Sequence, residues 1–525
     1  MSFPLLPRVD PDDPSDGQEA LATAGFLASS VAQRAFGITN LDDARDRIIL
    51  GRSGNRIIGY TDDRHLVTLA GSRSGKGVSQ IIPNLLHYGG SAVVIDPKGE
   101  NASITARFRA KVLGQKVVVL DPFRVAHVPE ELRGRLNFFG YIDPDDPEVV
   151  DDASGLADAF MVNTDERDAH WHETARAYLK ALILWIASSA PDQYRTPFHL
   201  QDLAFRGLAE SEGQQPSLDL LLDYMAAEEG FGGAVSSIAT MMIDMGERER
   251  GSVLSTARRN VEFLQTGPMA VCLSGSTFDL KDLRLPQGMT IYLVLPEWRL
   301  AAHARWLRLM ITLSLQTLQR TPASDESLPV LFLMDEFATL GKLQAIERAA
   351  SYIAGFKVKL WSILQDLGQL KDIYPKRWET FIGNAGMVTA FANTDLTTLK
   401  YLSEKLDDTE VLRVRESVNV SITTADTHAG LAKLLASVGA DKSGSMPMFG
   451  AESHQTGGGA QNSYSPELVR SRLMLPDEIA RYFGRRNHPE SDYALCLPAG
   501  LRPMRLQKLR YFADEPFRSR ATPLA

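Results

Sequence analysis

The sequence predicts an α/β fold: a doubly wound, mainly parallel sheet interrupted by an inserted all-α domain. Three observations carry that expectation. Short apolar runs recur along the chain, apolar on both faces, as strands covered by helices on both sides must be. Helical patterns separate many of them, which is the rhythm of strand–helix–strand units. One long stretch, from about Asp151 to Gly267, holds amphipathic helices and no strand pattern.

Taken in order, the first 20 or so residues are Pro- and Asp-rich and predict a disordered, acidic start to an N-terminal segment, 1–50, without a transmembrane helix. Strands are expected at Leu66–Leu69, Ser91–Ile95, Lys116–Leu120, Thr290–Leu295, Val330–Met334, Val358–Leu364, Met387–Phe391 and Tyr493–Leu497, all read as buried and parallel. In the insertion, His172–Ser189 places Ala175, Tyr178, Leu179, Leu182, Ile183 and Ile186 at three- and four-residue steps. Ser217–Glu229, Ala234–Met245 and Ser252–Leu264 follow with similar patterns. The α/β core is thus expected in two parts, 51–150 and 268–525, flanking a helical domain at 151–267. A Gly-, Ser-, Thr- and Ala-rich stretch at 425–462, with GGG at 457–459, predicts a long loop, part of it mobile.

Composition narrows the function classes. A formal charge of −9 argues against a uniformly basic surface, though a pore or groove can be basic while the outside is acidic. Cys272 and Cys496 lie in apolar, strand-like runs without metal-ligand spacing and read as small buried hydrophobes in a reducing compartment. The start has no apolar signal-peptide core, and no run approaches the roughly 18 apolar residues of a membrane span. A soluble, cytoplasmic protein is expected, with any peripheral contact at the cytoplasmic face of the inner membrane borrowed from a partner.

Two segments carry chemistry. In HLVTLAGSRSGKGVSQIIPNLL (65–86) a strand runs into a Gly/Ser loop and then a helix. Successive backbone N–H groups and a helix N-terminus in that setting face phosphates, and a lysine reaches the β- and γ-phosphates. Gly71, Ser72, Arg73, Ser74, Gly75, Lys76, Gly77 and Val78 are therefore the candidate ATP-binding loop. It departs from the usual pattern twice: Ala70 stands at the first glycine position, and Gly77 stands where a Ser or Thr hydroxyl would reach Mg²⁺. Ser79 or a water is the candidate substitute. In LPVLFLMDEFATLG (328–341) an apolar strand ends in Asp335-Glu336. The aspartate is the expected Mg²⁺ residue, directly or through water, and the glutamate the expected base for the attacking water.

Ligands of parallel sheets bind outside the carboxyl ends of the strands. Lys76, Asp335 and Gln365 each follow an expected strand at that edge, and Gln365 suits a sensor of the γ-phosphate. Asp96-Pro97-Lys98-Gly99-Glu100 and Asp121-Pro122-Phe123 end two further strands there, with site, subunit-interface or turn-capping roles all open. Arg258, Arg259, Arg305 and Arg348 are candidates for an arginine finger, which a neighbouring subunit often supplies.

Together, GSRSGKGVSQIIPNLL, VVIDPKGE, LMDEFATLGKL and LWSILQDLGQLKDIY resemble the type IV secretion coupling proteins of the TraG/TraD family. The resemblance runs from about Arg52 to Phe517 and includes WHETARAYLKALILW and LPAGLRPMRLQKLRYF. It implies a RecA-like P-loop NTPase motor, a membrane-distal all-α domain for substrate recruitment, and a homo-hexameric ring. Such a ring delivers DNA–relaxase complexes or effector proteins to an inner-membrane secretion channel. By position it makes Lys76 the Walker A lysine, Asp335 and Glu336 the Walker B pair, and Gln365 the sensor. Glycine often follows the lysine in that family, so Gly77 fits it. Members typically begin with transmembrane helices, which this chain lacks, so a separate membrane-anchored partner is a further candidate. Two other readings stay open: a cytosolic DNA translocase or helicase-like ATPase working without a channel, and a recruitment platform in which nucleotide only sets ring assembly.

Overall fold

The computed structural model describes residues 24–161, 169–209, 214–265, 267–420, 460–484 and 492–521. Their contacts divide them into two units: one holds Phe26–Lys405 and Met474–Ala525, the other is built on Leu406–Leu473.

The larger unit centres on a twelve-stranded sheet. Its strands are β1 (Gly37–Ile38), β2 (Ile48–Ser53), β3 (Arg56–Tyr60), β4 (His65–Ala70), β5 (Ala92–Asp96), β6 (Lys116–Leu120), β7 (Met289–Val294), β8 (Val330–Met334), β9 (Val358–Leu364), β10 (Ala385–Phe391), β13 (Tyr493–Pro498) and β14 (Met504–Gln507). The smaller unit contains β11 (Asp408–Val420) and β12 (Ala460–Arg472), an antiparallel ribbon paired from Asp408↔Arg472 to Val420↔Ala460.

The order across the large sheet is β1-β3-β2-β14-β13-β10-β4-β9-β8-β5-β7-β6. From β10 to β6 all pairings are parallel. Every residue of β4, β5, β8, β9 and β10 is buried, which explains why these strands read as unbroken apolar runs rather than as alternating ones. The other side of the sheet is antiparallel, and here the expectation for Tyr493–Leu497 fails. β13 runs antiparallel to both β10 and β14. Only residues 499–503 join β13 to β14, too short for the crossover that parallel neighbours need.

Helices cover the sheet: α1 (Ser29–Phe36), α2 (Ile82–Leu85), α3 (Glu100–Lys111), α11 (Glu297–Arg320), α12 (Gln344–Tyr352), α13 (Leu367–Ile373), α14 (Trp378–Gly383) and α15 (Leu396–Lys405). Between β6 and β7 the chain is helical: α4 (Val149–Phe160), α5 (Ala169–Ser189), α6 (Pro197–Arg206), α7 (Leu218–Ala226), α8 (Ser236–Asp244), α9 (Glu247–Val261) and α10 (Gly267–Leu273). All six residues of the apolar stripe on α5 are fully buried. The helical run extends past 267, through α10 and a 3₁₀ turn at Leu280–Arg284, before the sheet resumes. Cys272 therefore lies on a helix, not a strand; it is buried like Cys496, which does lie on β13. Apolar periodicity over so few residues does not separate the two.

The expected disordered start lies outside the described residues, and so does most of the expected loop at 425–462; its last residues, 460–462, open β12.

Candidate active site

The candidate phosphate loop leaves β4 at Ala70. Gly71 is needed for packing: a Cβ there would collide with the carbonyl of Ala392, just past β10. Gly71 N–H also donates to Phe391 O (3.3 Å), so the loop's base is held against the end of the neighbouring strand. Arg73 (φ 54°) and Gly75 (φ 89°) take left-handed conformations that fold the loop back over itself.

After Lys76 the chain enters a π-helical turn, Gly77–Ile81, that runs into α2. Ile82 N–H closes the turn on Gly77 O, five residues back, and Pro83, at the start of α2, has no N–H to give the carbonyl of Ser79. Two buried networks fix this helix. Trp361 Nε1 on β9 donates to Thr68 Oγ1 on β4 (3.0 Å), which donates to Gln80 Oε1 (3.1 Å). Asn84 exchanges two hydrogen bonds with the main chain of Ile49 on β2 (2.7 and 2.8 Å).

β9 lies between β4 and β8, so its end separates the loop from the end of β8. Across that gap Lys76 Nζ reaches Asp335 Oδ1 (2.9 Å) and Glu336 Oε1 (2.5 Å). Burial opposes the ammonium, but the two carboxylates outweigh it and push the Lys76 pKa up. Burial raises that of Asp335, against the pull of Lys76. Glu336 sits at φ 59°, ψ 48°, a left-handed conformation uncommon for a residue with a Cβ. Thr339 holds it there: its N–H (2.9 Å) and its hydroxyl (2.8 Å) both donate to Glu336 O. Gln365, at the end of β9, donates from Nε2 to Glu336 Oε2 (3.3 Å).

These residues line one cavity of about 720 Å³, together with Ser72 to Ser79, Asp96 and Lys98. Among the loop residues read from the sequence, Gly71 stays out of the lining. Ser79 reaches the cavity, but its hydroxyl is buried and donates to Gly75 O (2.9 Å), which commits the suggested substitute metal ligand elsewhere. At Gly77 a Cβ would meet nothing within 4 Å, so open space stands where the usual hydroxyl would be.

Asp96 is fully buried at the end of β5. Ala102 N–H donates to its Oδ2 (2.8 Å), and its Oδ1 has no partner. Burial is the main cause that pushes its pKa up to about 7, and nearby Asp335 adds to it. Between the ordinary carboxylate range and that value the folded chain holds a proton the unfolded chain has lost. Its contribution to stability therefore falls as pH rises across that window and is flat above it. Asp96→Asn is expected to remove a fall of roughly 2–4 kcal/mol. Denaturant unfolding of nucleotide-free protein at pH about 4.5 and about 8 measures it, and an unchanged slope would refute the assignment.

Asp121, by contrast, is a turn cap. Its oxygens accept from Val125 N–H, Ala126 N–H and Arg133 Nη1, and it does not line the cavity. None of the arginine-finger candidates lines it either. Arg258 donates to Ala204 O, Arg305 to Phe160 O and Asn260 Oδ1, and Arg348 to Gln344 Oε1, while Arg259 lies exposed on α9.

One wall was invisible in the sequence pattern. Asp492, Lys508, Leu509 and Arg510, more than 400 residues downstream of the loop, close the cavity. Arg510 Nη2 pairs with Asp492 Oδ2 (2.6 Å), and Tyr511 N–H donates to Val78 O (3.3 Å). Only the quoted LRPMRLQKLRYF segment of the resemblance pointed there.

A glycine-bearing loop between strand and helix, an acidic pair two strands away and a polar residue at the end of the strand between them are the arrangement of a P-loop fold of RecA-like build. A family model described as Type IV secretory system Conjugative DNA transfer matches residues 38–429, and the chain belongs to that family. It is 28% identical over 496 residues to the conjugal transfer protein TraG of Escherichia coli, covering 88% of this chain and 69% of that protein. To the protein VirD4 of Agrobacterium fabrum (strain C58 / ATCC 33970) it is 29% identical over 356 residues, covering 66% of this chain and 49% of VirD4. The chain thus spans from about half to somewhat over two thirds of these relatives' length. Among solved structures it shares its fold with the bacterial conjugative coupling protein TrwBdeltaN70 (TM-score 0.63, 16% identity, 94% of each chain). TrwB in complex with ADP and Mg²⁺ superposes equally well, with TM-score 0.63, 16% identity and 94% of each chain covered. Among the described residues no helix is long and apolar enough to cross a membrane.

Proposed function

We propose that this chain is an ATP-hydrolysing coupling protein. On this reading it assembles as a hexamer, recruits DNA–relaxase complexes or effector proteins through its helical insertion (151–267 in the sequence reading), and drives them towards a type IV secretion channel. The observation that carries it is the convergence of Lys76, Asp335, Glu336 and Gln365 in one cavity, in a chain of the conjugative DNA transfer family.

The residues fit a magnesium nucleotide. Among the described residues no three His, Cys, Asp or Glu side chains are grouped to hold a metal unaided. That suits Mg²⁺, which arrives on a triphosphate and keeps most of its waters. Asp335, with the partnerless Asp96 Oδ1 and Ser74 Oγ beside the same cavity, would hold its hydration shell. The ion would supply charge neutralisation on the phosphates. Lys76 would exchange its carboxylate partners for the β- and γ-phosphates, which frees Glu336 to accept a proton from water. Gln365, already bonded to Glu336, would align that carboxylate with the γ-phosphate. TrwB complexes with ADPNP and with ADP and Mg²⁺ support the cofactor choice.

The test is ATPase activity with and without single-stranded DNA, with mass measured at several concentrations. Turnover that rises with DNA and with hexamer formation is the expected result. No turnover in any assembly state leaves the platform reading in its place. Turnover without relaxase or channel components in a native pull-down favours a translocase working apart from a channel.

A further inference from the structure

The mechanism leaves Arg109, Lys359 and Arg308, all buried cations, unused. Arg308 lies in the middle of α11 and is 2% exposed. All five of its hydrogen bonds end on main-chain carbonyls, and they divide into two groups. Nε donates to Ala159 O (2.9 Å), and Nη2 to Met161 O (2.8 Å) and Asp158 O (3.2 Å), all at the C-terminal end of α4. Nη1 donates to Leu340 O (2.8 Å) and Lys342 O (2.7 Å), just after β8.

The first group is the end of α4; the second is the last carbonyl of a 3₁₀ turn, Leu340 O, and that of Lys342 just beyond it. Helices leave their last carbonyls without internal partners, and a cation there is favourable. Leu340 belongs to the 3₁₀ turn Phe337–Leu340, whose N-terminal flanking residue is Glu336. One guanidinium therefore joins the helical insertion to the turn that holds the candidate base in its left-handed conformation. Burial lowers its pKa only to about 10, so it stays charged at neutral pH. Only arginine has enough donors in one rigid plane to serve both groups; lysine, with three donors on a single atom, cannot span them. Arg305, one turn earlier on α11, bonds the insertion side alone, through Phe160 O and Asn260 Oδ1.

We propose that Arg308 is a positioning residue: it clamps the last turn of α4 to the 337–342 turn, so that the helical insertion and Glu336 are displaced together. The inference rests on Glu336 as the hydrolytic base, and makes the insertion a mechanical input to that base.

Two measurements test it. In the wild-type protein, native-state hydrogen exchange in mild denaturant follows the amides of Met161, Thr339 and Gly341, all hydrogen-bonded within their own turns. They are expected to share one opening free energy; separate isotherms for Met161 and for the other two would overturn the clamp. In kinetics, Arg308→Lys is expected to lower kcat by about ten- to a hundred-fold with little change in ATP affinity, whereas Arg320→Ala, which removes ion pairs from the same helix to Asp146, Glu148 and Asp152 at the start of the insertion, keeps basal turnover. Equal loss in both variants, or full kcat in Arg308→Lys, would likewise overturn it. If Arg308→Lys does not fold, the wild-type exchange experiment decides. A wild-type protein that hydrolyses no ATP would refute the proposed function, while the exchange data would still judge the clamp.

Discussion

Lys76→Ala is expected to lose nucleotide binding by about a hundred-fold or more, the weight of roughly 2–3 kcal/mol carried by charge-assisted bonds to phosphate. The structure adds a second cost. Lys76 is the cation between Asp335 and Glu336, at 2.9 and 2.5 Å, and without it two carboxylates face an incoming polyanion unneutralised. The alanine variant therefore combines a missing contact with active repulsion. Fluorescent-nucleotide titration reads the effect, and circular dichroism checks the fold. Affinity within a few-fold of wild type would remove Lys76 from the phosphate site.

Glu336→Gln should separate binding from chemistry. The amide keeps the shape and the contact with Gln365, while Lys76 keeps Asp335. Binding of ATP is expected to hold or tighten, because one negative charge next to the phosphates is gone. Hydrolysis is expected to fall by roughly 10²–10⁴, the usual span for a general base. Single-turnover hydrolysis beside filter binding measures both, and full turnover in this variant would take the base role from Glu336.

The parallel half of the sheet was legible because strands buried on both faces must be apolar throughout, and the signal needs no knowledge of neighbours. Lys76, Asp335 and Gln365 were legible for a related reason: each sits at a strand end, and parallel strands bring those ends to one edge. What stayed hidden is non-local. Apart from the family resemblance over 501–512, nothing near Asp492 or Arg510 marks them as cavity walls, since their place depends on a strand order in which β13 adjoins β10 and not β9. The antiparallel direction of β13 is set by its pairing, which its own apolar residues do not encode. Arg308 is a charge on a long, mostly apolar helix. Its sequence neighbours do not reveal the end of α4 and the 340–342 carbonyls that account for it.

The route from β6 to β7 carries a consequence for how such chains diversify. The two strands are parallel neighbours, paired from Lys116↔Met289 to Leu120↔Leu293, and the whole helical run is the connection between them. A connection of that kind can be lengthened, shortened or exchanged without shifting the register of any strand. The sheet therefore leaves this segment free to change with whatever it meets. The exception is the final turn of α4, anchored through Arg308 to the turn beside Glu336. A transplanted segment that kept the sheet but not that turn would fold on an intact frame and find itself out of gear with the chemistry.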